Sequence, residues 1–108
     1  MSVPQNGAHG DVLESVLLHC WESALRHQPI GVHDNFFAIG GHSLVAMRIA
    51  NRLRKTFGVP VDYVVVLEHP TVAALAQGLR DSGFATPEVE RAGREYLHTH
   101  GVPVPEPR

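Results

Sequence analysis

A chain of 108 residues has room for one domain. Hydrophobic residues make up 44% and charged residues 19%, an ordinary globular balance that excludes disorder throughout, and at this size a large catalytic cleft is not expected. The net charge of -2, with eight histidines counted neutral, lacks the positive excess of a nucleic-acid binder, and the single Cys20 cannot form an internal disulfide.

The first ten residues, "MSVPQNGAHG", carry neither an apolar h-region nor a basic n-region and read as a disordered lead-in. Nothing downstream approaches the ~18 apolar residues of a membrane span. With one unpaired cysteine, a reducing, cytoplasmic setting without membrane contact is expected.

Asp11 and Glu14 form a capping-box pattern, and Leu13, Val16, Leu17, Cys20, Trp21 and Ala24 then recur at helical spacing. This first helix is expected to end near His27, because Pro29 disfavours helical geometry in the residue before it. A long connection follows, "QPIGVHDNFFAIGGH", whose Ile30, Val32, Phe36, Phe37 and Ile39 can tie it down. Asp34 is expected to fix the loop through local backbone hydrogen bonds, and Phe36, Phe37 and Trp21 to lie in the core.

The second helix reads from Ser43 to Phe57, with Ala46, Ile49, Ala50, Leu53 and Phe57 inside ~100° of the helical wheel and Gly58 as its stop. Leu44 and Met47 fall off that stripe, and Arg48, Arg52, Arg54 and Lys55 make the other faces basic. Residues 62–68, "DYVVVLE", have strand propensity, but a lone strand has no partner and Asp62 offers a cap, so a short helix is expected. Thr71 caps a further helix whose inner face holds Val72, Leu75, Ala76 and Leu79.

The segment 83–108 differs in composition. Thr86-Pro87-Glu88 marks a helix start, Val89, Ala92 and Tyr96 form a weak stripe over 87–99, and Glu90–Arg94 is an i,i+4 pair. "VPVPEPR" closes the chain as an extended, polyproline-like tail. The elements add up to an all-α, four-helix bundle over 11–82 with a short third helix, extended by a C-terminal segment with room for a fifth helix.

Ser43 stands where the amphipathic run begins, and from spacing alone it reads most simply as an N-cap. A nucleophile elbow fails, because Val45 occupies the second glycine position of G-x-S-x-G and no strand precedes it. A third reading uses the helix terminus itself: free N–H groups and the dipole favour a phosphate attached at Ser43. Gly40 and Gly41 leave room beside that serine for a modifying enzyme. Eight histidines show no metal-ligand spacing, with His98 and His100 alone too weak, so no metal and no catalytic residue are expected.

"GVHDNFFAIGGHSLVAMRI", with "LEHPTVAALA" downstream and Trp21 upstream, resembles the peptidyl carrier (thiolation) domains of nonribosomal peptide synthetases, in the acyl carrier protein superfamily. The likeness runs from about Leu13 to Leu79 and rests on Asp34, Phe36, Phe37, Gly40, Gly41, His42, Ser43 and Leu44. It implies a four-helix carrier whose Ser43 bears covalent 4′-phosphopantetheine from coenzyme A, holding aminoacyl or peptidyl groups as thioesters. The implied partners are a phosphopantetheinyl transferase, an adenylation enzyme, and condensation, tailoring or thioesterase enzymes. Leu44, Met47, Arg48 and Val65 are the expected contacts, and the carrier itself is expected to be monomeric and non-catalytic.

The departures are small. Ala38 and Ile39 stand where the family often has Glu and Leu, and Val64 and Val65 where it often has charged or small residues. Those valines either meet a partner or pack against the 83–108 segment. Carriers for polyketide or fatty-acid synthesis, the nearest alternative, usually have Asp before the serine and an acidic second helix; here stand His42 and a basic one. A DNA-recognition role for that basic helix would leave the signature loop unexplained and opposes the net charge.

Overall fold

The computed structural model describes residues 12–105; the Asp11 cap, the lead-in and the last three residues lie outside them. Five helices follow in order: α1 (Val12–Leu25), α2 (Ser43–Phe57), α3 (Tyr63–Glu68), α4 (Val72–Asp81) and α5 (Pro87–Thr99), with no strand among the described residues.

Local chemistry sets the boundaries. α1 stops where Arg26 turns left-handed at φ 53°. α2 stops at Gly58, φ 70°, whose N–H donates to the Arg54 carbonyl at 2.8 Å, a left-handed cap that glycine adopts without a Cβ clash. Arg54 then reaches over this end, and its guanidinium donates to the Val61 carbonyl at 2.6 Å. The valine run becomes helix because burial, not propensity, decides it: Val66 turns fully inward while Val64 stays exposed. Asp62 occupies the N-cap of α3 but makes no side-chain cap bond, unlike the expectation. Thr71 does cap α4, its Oγ1 accepting from the Ala74 N–H at 3.1 Å, and Thr86 caps α5 by accepting from the Val89 N–H at 3.2 Å.

One core unites the helices. Val16, Leu17 and Trp21 of α1, Ala46, Ile49 and Leu53 of α2, Val66 of α3, and Val72, Leu75 and Leu79 of α4 all belong to it and are essentially inaccessible. Burying each large side chain contributes about 1.5–3 kcal/mol before entropy is counted. Phe57 is only partly buried, at the edge of its stripe.

α5 packs on α1 and α2, and not on α3. Its inner face differs from the expected stripe: Val89, Gly93 and Leu97 are buried, whereas Ala92 and Tyr96 are only half-buried. The 3.6-residue period admits either row, and Gly93 decides it. A Cβ there would lie 2.7 Å from Val12 Cγ1, so only glycine lets α5 approach α1 this closely. The Glu90–Arg94 pair forms at 3.7 Å on the exposed face, where such pairs contribute little.

Candidate functional site: the N-terminus of α2

The connection between α1 and α2 is held at several points. The Gly31 N–H donates to Asp34 Oδ2 at 2.8 Å, closing the local turn expected of that aspartate. Asn35, a residue that sequence reasoning passed over, accepts from the Phe37 and Ala38 N–H groups at 2.9 and 3.1 Å and organises a single turn over 35–39. Its position beside Asp34 before a polar-to-apolar change was the available signal. The Phe36 N–H donates to the Pro70 carbonyl at 2.6 Å and the Ala73 N–H to the Val32 carbonyl at 2.9 Å, fastening the loop to the start of α4.

Phe36 is the anchor. It is fully buried, with its ring edge-on to Trp21 at 5.1 Å between centroids. Phe37 corrects the expectation: it is 50% exposed and lies against the Phe36 ring at 5.5 Å. Successive side chains in a helical turn diverge by ~100°, so one phenylalanine can enter the core and its neighbour cannot.

The two glycines serve different needs. Gly40 has φ 105°, a backbone conformation costly for any residue with a Cβ. Gly41 has ordinary φ but sits on Phe36, where a Cβ would lie 2.5 Å from the ring carbons. The Gly41 N–H donates back to the Phe36 carbonyl at 2.8 Å. A firm anchor and a tight return thus deliver the chain to α2 in one direction.

His42, not Ser43, takes the N-cap position, with extended backbone and no side-chain cap bond. Ser43 is the first helical residue and exposed, so the capping role expected from spacing is not what it performs. The Ala46 N–H donates to the His42 carbonyl at 2.9 Å as the first helical bond, so the N–H groups preceding it begin the helix without helical partners. No acidic residue stands in the first turn, and Arg54 and Lys55 stand in the last. The positive end of the helix dipole is therefore uncompensated beside the Ser43 hydroxyl.

Around the serine lies exposed apolar surface. Leu44 is 53% and Met47 44% exposed, Met47 one turn below Ser43 on the same face. Arg48 is exposed beside them. On α3, Val64 rather than Val65 is the exposed valine, at 40%, and α5 covers neither. Among the described residues no group of three or more His, Cys, Asp and Glu is placed to hold a metal ion, and no helix is long and apolar enough to cross a membrane.

A family model described as "Phosphopantetheine attachment site" matches residues 15–79, well over half of the chain, and the chain belongs to that family. It is 51% identical over 63 residues to tyrocidine synthase 3 of Brevibacillus parabrevis, covering 58% of this chain and 1% of that protein. A chain from the structure of the phosphopantetheine transferase Sfp in complex with coenzyme A and a peptidyl carrier protein superposes with a TM-score of 0.61 at 38% identity, over 73% of this chain and 96% of that one. BlmI, a type-II acyl carrier protein from Streptomyces verticillus involved in bleomycin biosynthesis, superposes with a TM-score of 0.63 at 29% identity, over 67% of this chain and 87% of that one.

The fold is therefore of the acyl carrier type, and the protein is a carrier of the kind found in nonribosomal peptide synthetases, with covalent 4′-phosphopantetheine as its cofactor. α5 lies beyond the matched residues. The residues fit the group: an exposed hydroxyl, an uncompensated helix N-terminus for the phosphate, and no bulk at Gly40 or Gly41.

Proposed function

We propose that Ser43 is the attachment residue and that this carrier presents aminoacyl or peptidyl groups to the enzymes of nonribosomal peptide synthesis. The observation that carries this reading is the exposed Ser43 at the bare N-terminus of α2, held in place by the buried Phe36. When attached, the group supplies a terminal thiol that holds the cargo as a thioester.

The chain's own residues do the rest. Ser43 Oγ offers the hydroxyl, the first-turn N–H groups stabilise negative charge beside it, and the loop 31–41 fixes the direction in which the arm leaves. None of these residues forms a nucleophile–base pair, and in this reading the protein catalyses nothing itself. The carrier proper spans 11–82, and 83–108 is an extension whose α5 packs on α1 and α2. Its partners are a phosphopantetheinyl transferase, an adenylation enzyme, and condensation, tailoring or thioesterase enzymes, which meet Leu44, Met47, Arg48, Val65 and the more exposed Val64 beside it. A single unpaired Cys20 suits cytoplasmic work.

The test is intact-protein mass after incubation with coenzyme A and a broad-specificity phosphopantetheinyl transferase. One phosphopantetheine adduct is expected on the wild type and none on Ser43→Ala. An adduct that survives the substitution removes Ser43 from the site. Loading of the modified protein by an amino acid and an adenylation enzyme, rather than by malonyl transfer, separates the peptidyl from the polyketide reading.

A further inference from the structure

α5 is tied to the rest of the carrier by a cluster unrelated to Ser43. His19 and Cys20 come from α1, Arg52 from α2, and Tyr96 and His100 from the end of α5. His19 Nδ1 lies 2.8 Å from the Tyr96 hydroxyl, and the Cys20 thiol donates to the same oxygen at 3.6 Å. Arg52 adds positive charge to the same cluster, acting on both Tyr96 and His19. The Tyr96 and His100 rings stack at 4.1 Å, and His100 lies 4.9 Å from the His19 ring.

Hydrogen-bond supply decides the protonation state. A phenolic oxygen has one proton to donate and limited capacity to accept. Here Cys20 already donates to it, so the phenol's own proton goes to His19 Nδ1. That requires His19 to be neutral with Nδ1 unprotonated. A protonated His19 would set a second donor against the oxygen, leave the phenol proton without its acceptor, and place a charge beside His100 and Arg52. The phenol itself does not ionise in this range, since burial, then the Cys20 beside it, pushes Tyr96 up to about 12.

We propose that α5 is a pH-gated strap, locked onto α1 while His19 is neutral and loosened as His19 gains a proton. The gate is built from every element packed around His19: Cys20 and Glu22 on α1, Arg52 on α2, Tyr96 on α5 and His100 at its C-cap. Glu22 is the only acid among them, and its carboxylate also accepts from the Ile30 N–H at 3.1 Å. Burial first, then the charges of His100 and Arg52, hold His19 below its ordinary value of 6.5, against a smaller opposing effect of Glu22. The docked state therefore binds fewer protons than the undocked one once the pH falls below that value. Docking is complete above about pH 6.5 and weakens as the pH falls toward the docked pKa. What the strap uncovers is the α1 face that carries Cys20, whose thiol burial otherwise keeps unreactive.

Cys20 is the only cysteine, so its labelling reports the strap directly. The full chain is treated with a neutral disulfide reagent at about pH 7.5 and about pH 5.5, on either side of histidine titration. Each rate is divided by that of the urea-unfolded protein at the same pH, which cancels thiolate titration, and amide exchange is followed in parallel. In the wild type, protection of Cys20 and of the α5 amides is expected to drop several-fold at the lower pH while α2 and α4 stay protected. His19→Gln, whose amide oxygen can accept the Tyr96 proton but cannot titrate, is expected to abolish the pH dependence. Tyr96→Phe, which keeps the ring, is expected to lower protection already at the higher pH. Unchanged wild-type protection, an unaltered pH dependence in His19→Gln, or loss of α2 and α4 protection together with α5 would each overturn the proposal.

Discussion

Replacing Gly41 by alanine probes how Ser43 is presented. The added Cβ would lie 2.5 Å from Phe36 Cδ2 and Cε2, well inside carbon–carbon contact near 3.5–4.0 Å. Phe36 has nowhere to retreat: it is fully buried against Trp21 and its N–H is bound to the Pro70 carbonyl. Either the ring is driven off its rotamer or the backbone at residue 41 lifts away, and overpacking of this kind costs about 1–3 kcal/mol. In a domain of this size that lowers the melting temperature by about 4–8 °C per kcal/mol. Urea unfolding and the rate of phosphopantetheinylation are the assays. Combining the change with Phe36→Leu, which clears the ring, should recover part of the loss as a coupling of about 1 kcal/mol. Gly40→Ala serves as the contrast: it meets no atom within 4 Å, and its cost of about 1–2 kcal/mol comes from φ 105° and should be indifferent to Phe36. A Gly41→Ala protein within about 0.5 kcal/mol of wild type, or equally destabilised in the Phe36→Leu background, would refute the clamp.

Leu97→Ala tests whether α5 belongs to the core. Leu97 is fully buried, so a loss of about 2–5 kcal/mol in urea unfolding is expected, whereas a detachable tail would cost almost nothing. Met47→Glu and Leu44→Glu should leave the melting temperature nearly unchanged, because both side chains are exposed, while slowing modification or aminoacyl loading. Unaltered rates in both variants would take these residues out of the partner surface.

Much of the bundle could be read from the chain. Periodicity located the stripes of α1, α2 and α4, and Gly58, Thr71 and Thr86 marked ends that the backbone honours. These signals are local: a 3.6-residue repeat and a cap depend on neighbours a turn away. The motif around Ser43 could be read for the same reason, since its residues are contiguous.

What needed the third dimension was every choice between equivalent local options. Sequence could not say which of Phe36 and Phe37 enters the core, because both are equally apolar and only the Trp21 pocket has room for one. It marked Ser43 as a cap, while the chain leaving Gly41 places His42 there instead, with extended backbone. It drew the α5 stripe through Ala92 and Tyr96, because a glycine adds nothing to an apolar count. Only the approach to Val12 shows that Gly93 is where the helices touch. The His19–Tyr96 contact joins residues 77 apart in the chain, a distance over which no pattern runs. The sequence determined the helices and the serine at the head of α2; tertiary packing decided which faces meet, because burial is settled between elements rather than within them.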